Sequence, residues 1–90
     1  MPTVCKRVYY SGRVQGVGFR YTAQALARGY PITGYVRNLS SGEVELVAEG
    51  DPARVDAFLA AVARQMAGYI THTVVHEDPP SGFREFRIRH

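Results

Sequence analysis

The run Gly12-Arg13-Val14-Gln15-Gly16-Val17-Gly18-Phe19-Arg20 has the residue types and spacing of a cradle for phosphate. Its three glycines let the backbone turn tightly and aim successive N–H groups at one anion. A helix that starts directly after the loop points the positive end of its dipole at the same spot. Arg20 adds a planar, permanently charged fork suited to phosphate oxygens. Asn38 is the second candidate: a neutral amide that can hold a water but cannot take its proton at ordinary pH. Taken singly, each has a bland reading. The glycine loop is a turn, Arg20 a surface ion-pair partner and Asn38 a locally bonded turn residue. Only the combination argues for a site.

The elements that must position these residues follow from periodicity. Residues 4 to 12 read as a strand, with Val4, Val8 and Tyr10 on one parity and Cys5, Arg7 and Tyr9 on the other. Phe19, Thr22, Ala23, Leu26, Ala27 and Tyr30 then recur as one helical face, which Gly29 and Pro31 stop. A strand over residues 32 to 39, the turn Ser40-Ser41-Gly42 and a strand over residues 43 to 49 make a hairpin. In the latter, Glu43, Glu45 and Glu49 alternate with Val44, Leu46 and Ala48, and their parity marks a solvent-facing side. Asp51-Pro52 opens a second helix whose buried stripe is Val55, Phe58, Leu59, Val62 and Met66. A strand over residues 69 to 77 follows. After the break Asp78-Pro79-Pro80-Ser81-Gly82, Phe86 and Ile88 mark a short last strand.

This order predicts an α+β fold, the ferredoxin-like βαββαβ sandwich, with both helices on one face of a mainly antiparallel sheet and a short extra C-terminal strand. One domain over residues 1–90 is expected, with too little chain for a large cofactor held between lobes. Parity then makes a specific claim. In the second strand Val36 faces the helices, so Asn38 lies on the same side as Arg20, and the two converge.

At this point the chain resembles the acylphosphatase family. The first family signature is the Gly12–Arg20 run itself. The second is Gly34-Tyr35-Val36-Arg37-Asn38 followed by Gly42-Glu43-Val44 and Gly50, and the closing Phe86-Arg87-Ile88-Arg89 strand is similar as well. The chain departs from the usual pattern at Pro31 and across residues 65 to 72. The resemblance implies hydrolysis of acyl phosphates to a carboxylate and inorganic phosphate without metal or cofactor. It implies Arg20 and Asn38 as the catalytic pair, and phosphate binding by Arg20 and the amides of Gln15, Gly16, Val17, Gly18 and Phe19.

The chemistry suits those residues. A carboxylate is a good leaving group, so the reaction needs placement and charge more than a general acid. Cysteine phosphatases carry their nucleophile six positions before the phosphate-loop arginine, and that position here is Val14. Cys5, the only cysteine, sits well before the loop, reads as a small buried or half-buried strand residue and leaves no internal disulfide to form. Direct attack by water is the simpler expectation.

Composition narrows the classes further. The net charge of +3 is spread over a surface of mixed sign with no polybasic block. RNA-recognition domains share this order of elements, yet the third strand is acidic and lacks the aromatics on which bases stack. No nucleic-acid partner is expected. A regulatory domain that binds a phosphorylated metabolite without turning it over is the other rival. His72, His76 and His90 read as solvent-facing or half-buried, not as metal ligands. The aromatics Phe19, Tyr30, Phe58 and Phe86 read as core. No apolar run is long enough to cross a bilayer and Met1–Arg7 lacks the apolar centre of a secretory signal, so a cytoplasmic monomer without membrane partner is expected.

Overall fold

Alternating apolar residues in the strands and two apolar helical stripes must be buried against each other, and one layered arrangement achieves this. The structure, a computed structural model, describes residues 2–90. In chain order the elements are β1 (Val4–Gly12), α1 (Phe19–Ala27), β2 (Thr33–Asn38), β3 (Val44–Gly50), α2 (Pro52–Gln65), β4 (Ile70–Asp78) and β5 (Phe86–Ile88). The five strands form one sheet in the order β4-β1-β3-β2-β5. All pairings are antiparallel except that of β5 with β2. This is the expected ferredoxin-like α+β sandwich with an added edge strand.

The core lies between the sheet and the helices. Val8 and Tyr10 of β1, Val36 of β2 and Val44, Leu46 and Ala48 of β3 meet Phe19 and Ala23 of α1 and Val55, Phe58 and Val62 of α2. Side chains two residues apart share a face, so this set fixes the helix side for every strand. The α2 start is as expected: the Asp51 carboxylate accepts from Ala53 N–H at 3.1 Å, with Pro52 in the first turn. The first helix ends earlier than its apolar periodicity suggests. Its last residue is Ala27, and Tyr30 reaches the core from the tightened turn beyond, with its ring 5.9 Å from that of Phe58.

One expectation fails on the other face of the sheet. Glu45 and Glu49 are not on a wet surface; they are 4% and 6% exposed. The Glu45 carboxylate accepts from Tyr9 Oη at 2.9 Å, Tyr35 Oη at 2.8 Å and Arg37 Nε at 2.7 Å. Burial alone raises its pKa, but the bonds from Arg37, Tyr35 and Tyr9 outweigh that and hold it below its ordinary value. Glu49 accepts from the backbone N–H groups of Ser81 and Gly82, the latter at 2.8 Å. These residues belong to the segment that carries the chain from β4 at one edge to β5 at the other. Alternation showed correctly which side the glutamates face, but the crossing segment and the tyrosines cover that side. Glu43 alone is half-exposed, bonded to the Ser41 hydroxyl at 3.0 Å.

Candidate active site

The loop between β1 and α1 owes its shape to two glycines. Gly16 and Gly18 have φ of 77° and 79°, in the left-handed region, and a Cβ on either would meet open space. Strain from a side chain there is therefore a matter of backbone conformation, not of collision. Gly18 is also the N-cap of α1 and supplies no side-chain cap. The first helical hydrogen bond runs from Thr22 N–H to the Gly18 carbonyl at 2.9 Å. The amides of Phe19, Arg20 and Tyr21 precede that ladder, so a helix N-terminus with uncapped donors faces outward beside the loop.

The loop is tied to the β2–β3 hairpin by one side chain. Gln15 Nε2 donates to the Leu39 carbonyl at 2.8 Å and to the Glu43 carbonyl at 2.9 Å. Sequence reasoning placed Gln15 in the loop through its amide and missed this latch, because its acceptors are backbone groups far along the chain. Through the latch, the strand that ends in Asn38 and the loop that precedes Arg20 are held at a fixed separation.

Between them is a cavity of about 160 Å³ lined by Val14, Gly16, Gly18, Phe19, Arg20, Tyr21 and Asn38. That is room for roughly five waters. The parity argument thus brings Arg20 and Asn38 to one concavity, with Gly16 and Gly18 in its wall. Gln15 and Val17 do not line it. Phe19 lines it while its ring is buried against Tyr10, with centroids 4.9 Å apart. The lining contains one cation and no carboxylate, so an anion meets no like charge on its walls. Asn38 Oδ1 is buried and has no hydrogen-bond partner. An acceptor in this position is free to pair with a water or a bound ligand.

The remaining candidates fall elsewhere. Val14, at the position a cysteine nucleophile would take, is 1% exposed and inert. Cys5 is buried near the far end of β1, roughly 23 Å of strand from Gly12. Burial, then the charges of Glu49 and Asp78, push its pKa up to about 11, so it stays a thiol. Among the described residues no three His, Cys, Asp or Glu side chains are grouped to hold a metal ion. His76 packs on the Tyr9 ring at 5.8 Å. His90, read from sequence as solvent-facing or half-buried, is exposed and has its Nδ1 3.3 Å from Arg20 Nη1.

The model of the acylphosphatase family matches residues 6–88. An acylphosphatase of Synechococcus sp. is 42% identical over 83 residues, which span 91% of this chain and 88% of that one. The crystal structure of acylphosphatase from Bacillus subtilis superposes with a TM-score of 0.87 at 33% identity, covering 97% of this chain and 99% of the other. Full-length HypF also contains a similar unit: the match has a TM-score of 0.86 at 27% identity and covers 99% of this chain but 12% of HypF. The chain therefore belongs to the acylphosphatase family, whose members hydrolyse acyl phosphates.

Proposed function

We propose that acyl phosphate hydrolysis here proceeds by direct attack of a water held at Asn38 on a phosphoryl group bound by Arg20 and the amides of Gln15, Gly16, Val17, Gly18 and Phe19. The observation that carries this reading is that Arg20 and Asn38, whose Oδ1 has no hydrogen-bond partner within the protein, line one cavity. The Asn38 amide can hold one water by a hydrogen bond and so aim the water's oxygen lone pair at phosphorus. As the bond from water oxygen to phosphorus forms, the bond from phosphorus to the acyl oxygen breaks and its electron pair leaves with the carboxylate. The water proton passes to a phosphate oxygen. Negative charge on the equatorial oxygens falls between the Arg20 fork and the uncapped amides of α1, which need no rearrangement to stabilise it.

The buried Cys5 thiol and a cavity lining without Cys, Ser, Thr, His, Asp or Glu support direct attack over a covalent intermediate. A cytoplasmic monomer is part of the same reading; the unpaired buried thiol bears only on the compartment, being of a kind that reducing environments preserve. Release of inorganic phosphate from benzoyl phosphate in the presence of a chelator tests the proposal. Turnover that persists under chelation and falls steeply in Arg20→Ala and Asn38→Ala is expected. Full turnover in either folded variant overturns the assignment.

A further inference from the structure

We propose that the Tyr21 side chain is the contact for the acyl group and that it tilts the site toward neutral acyl phosphates whose acyl group presents a flat apolar face. The proposal rests on the reading of the Arg20–Asn38 cavity given above and concerns the half of the substrate that the phosphate-binding groups leave unheld. Size puts the acyl group at the mouth. The cavity of about 160 Å³ has room for roughly five waters, and a phosphoryl group with its attacking water occupies most of that. The acyl group must therefore lie against whatever the rim presents.

Only one lining residue is free to meet it. Gly16 and Gly18 have no side chain, and Val14 and Phe19 are turned into the core at 1% and 2% exposure. Arg20 is engaged with phosphate and Asn38 with water. Tyr21 lines the same cavity and is 65% exposed, so its ring is apolar surface that the fold does not cover. Helix geometry accounts for this. The first helix buries Phe19, Ala23 and Ala27 at four-residue intervals, and Tyr21, two residues after Phe19, is turned about 200° around the axis from it. The other large apolar side chains that stay exposed, Tyr69, Val74 and Val75, lie in or just before β4 and away from the cavity lining.

The walls also limit the charge of the acyl group. Among the described residues Arg20 is the one cation of the lining, and phosphate takes it, so an acyl group with its own carboxylate finds no partner there. A flat ring can instead pack on the Tyr21 ring in the offset or edge-to-face manner. Because that contact lies away from phosphorus, it holds substrate and transition state alike, and its effect falls in KM more than in kcat.

The test compares benzoyl phosphate with acetyl phosphate as substrates of the native chain, Tyr21→Ala and Tyr21→Phe. Both acyl groups are neutral, and only the first has a ring. The difference in intrinsic reactivity between the two anhydrides cancels when the ratio of their kcat/KM values is compared between variants. Alanine is the best helix former and Tyr21 is exposed, so the truncated variant is expected to fold. In Tyr21→Ala the benzoyl-to-acetyl ratio should fall about fivefold, the scale of one aromatic pair, carried by KM for benzoyl phosphate. Tyr21→Phe, which keeps the ring, should retain the native ratio. An unchanged ratio in Tyr21→Ala, an equal loss on both substrates, or a ratio that Tyr21→Phe loses as fully as Tyr21→Ala overturns the role of the ring and leaves hydrolysis standing. If the native chain hydrolyses neither acyl phosphate, the reading of the site falls and the role of Tyr21 with it.

Discussion

Replacing Asn38 by alanine separates catalysis from folding more sharply than any other single change in this molecule. In most buried polar residues the side chain holds the fold, so truncation costs both stability and activity. Asn38 is different: its Oδ1 has no hydrogen-bond partner within the protein, so truncation breaks no side-chain bond that holds the fold. Alanine also enlarges the cavity of about 160 Å³ by a few atoms. Asn38→Ala is therefore expected within about 1 kcal/mol of the native stability. Turnover responds more strongly. A water no longer aimed at phosphorus costs on the order of a hundredfold in rate, about 2.7 kcal/mol in the barrier. Inhibition by inorganic phosphate, which depends on Arg20 and the loop, stays near native. Urea unfolding and benzoyl phosphate hydrolysis on the same preparations supply both numbers. A variant destabilised by 2 kcal/mol or more, or one that is folded and fully active, refutes the reasoning.

Three other changes probe the supporting structure. Gln15→Ala removes both hydrogen bonds that tie the loop to the hairpin and should lower stability by about 1–3 kcal/mol, read from the urea midpoint, with a loss in turnover. Glu45→Gln should flatten the acid limb of the stability profile. The folded pKa of Glu45 lies below its ordinary 4.5, so its contribution is complete above that value and disappears as the pH falls through the folded value; thermal melts between about pH 2 and 6 measure this. Cys5→Ser should keep turnover within about twofold while losing some stability, because a hydroxyl replaces a buried thiol that does no chemistry.

The course of the chain around the site was legible because each step depended on local rules. Gly16 and Gly18 announced a loop of left-handed conformations, Phe19 the start of a helical face, and the two-residue period of β2 put Asn38 beneath the helix with Val36. The helix end was less legible, since apolar spacing continued to Tyr30 while the hydrogen-bond ladder stopped at Ala27. What escaped the sequence required knowing which segments meet. Glu45 and Glu49 read as solvent-facing by alternation, yet alternation names a face without saying what covers it. The Gln15 latch and the approach of His90 to Arg20 depend on the β2–β3 hairpin closing against the loop and on the parallel register of β5. Neither leaves a periodic trace. The family resemblance pointed to Arg20 and Asn38, and the physical reasons for pairing them came from parity.

A crystal structure of the protein grown with inorganic phosphate tests the central claim most directly. A tetrahedral anion is expected in the cavity between the loop and β2, within hydrogen-bond reach of the Arg20 guanidinium and the Phe19 amide, with Asn38 beside it and a water on its Oδ1. An anion found instead only on the opposite face, among Arg84, Arg87 and Arg89, with the loop cavity filled by solvent alone, contradicts the account.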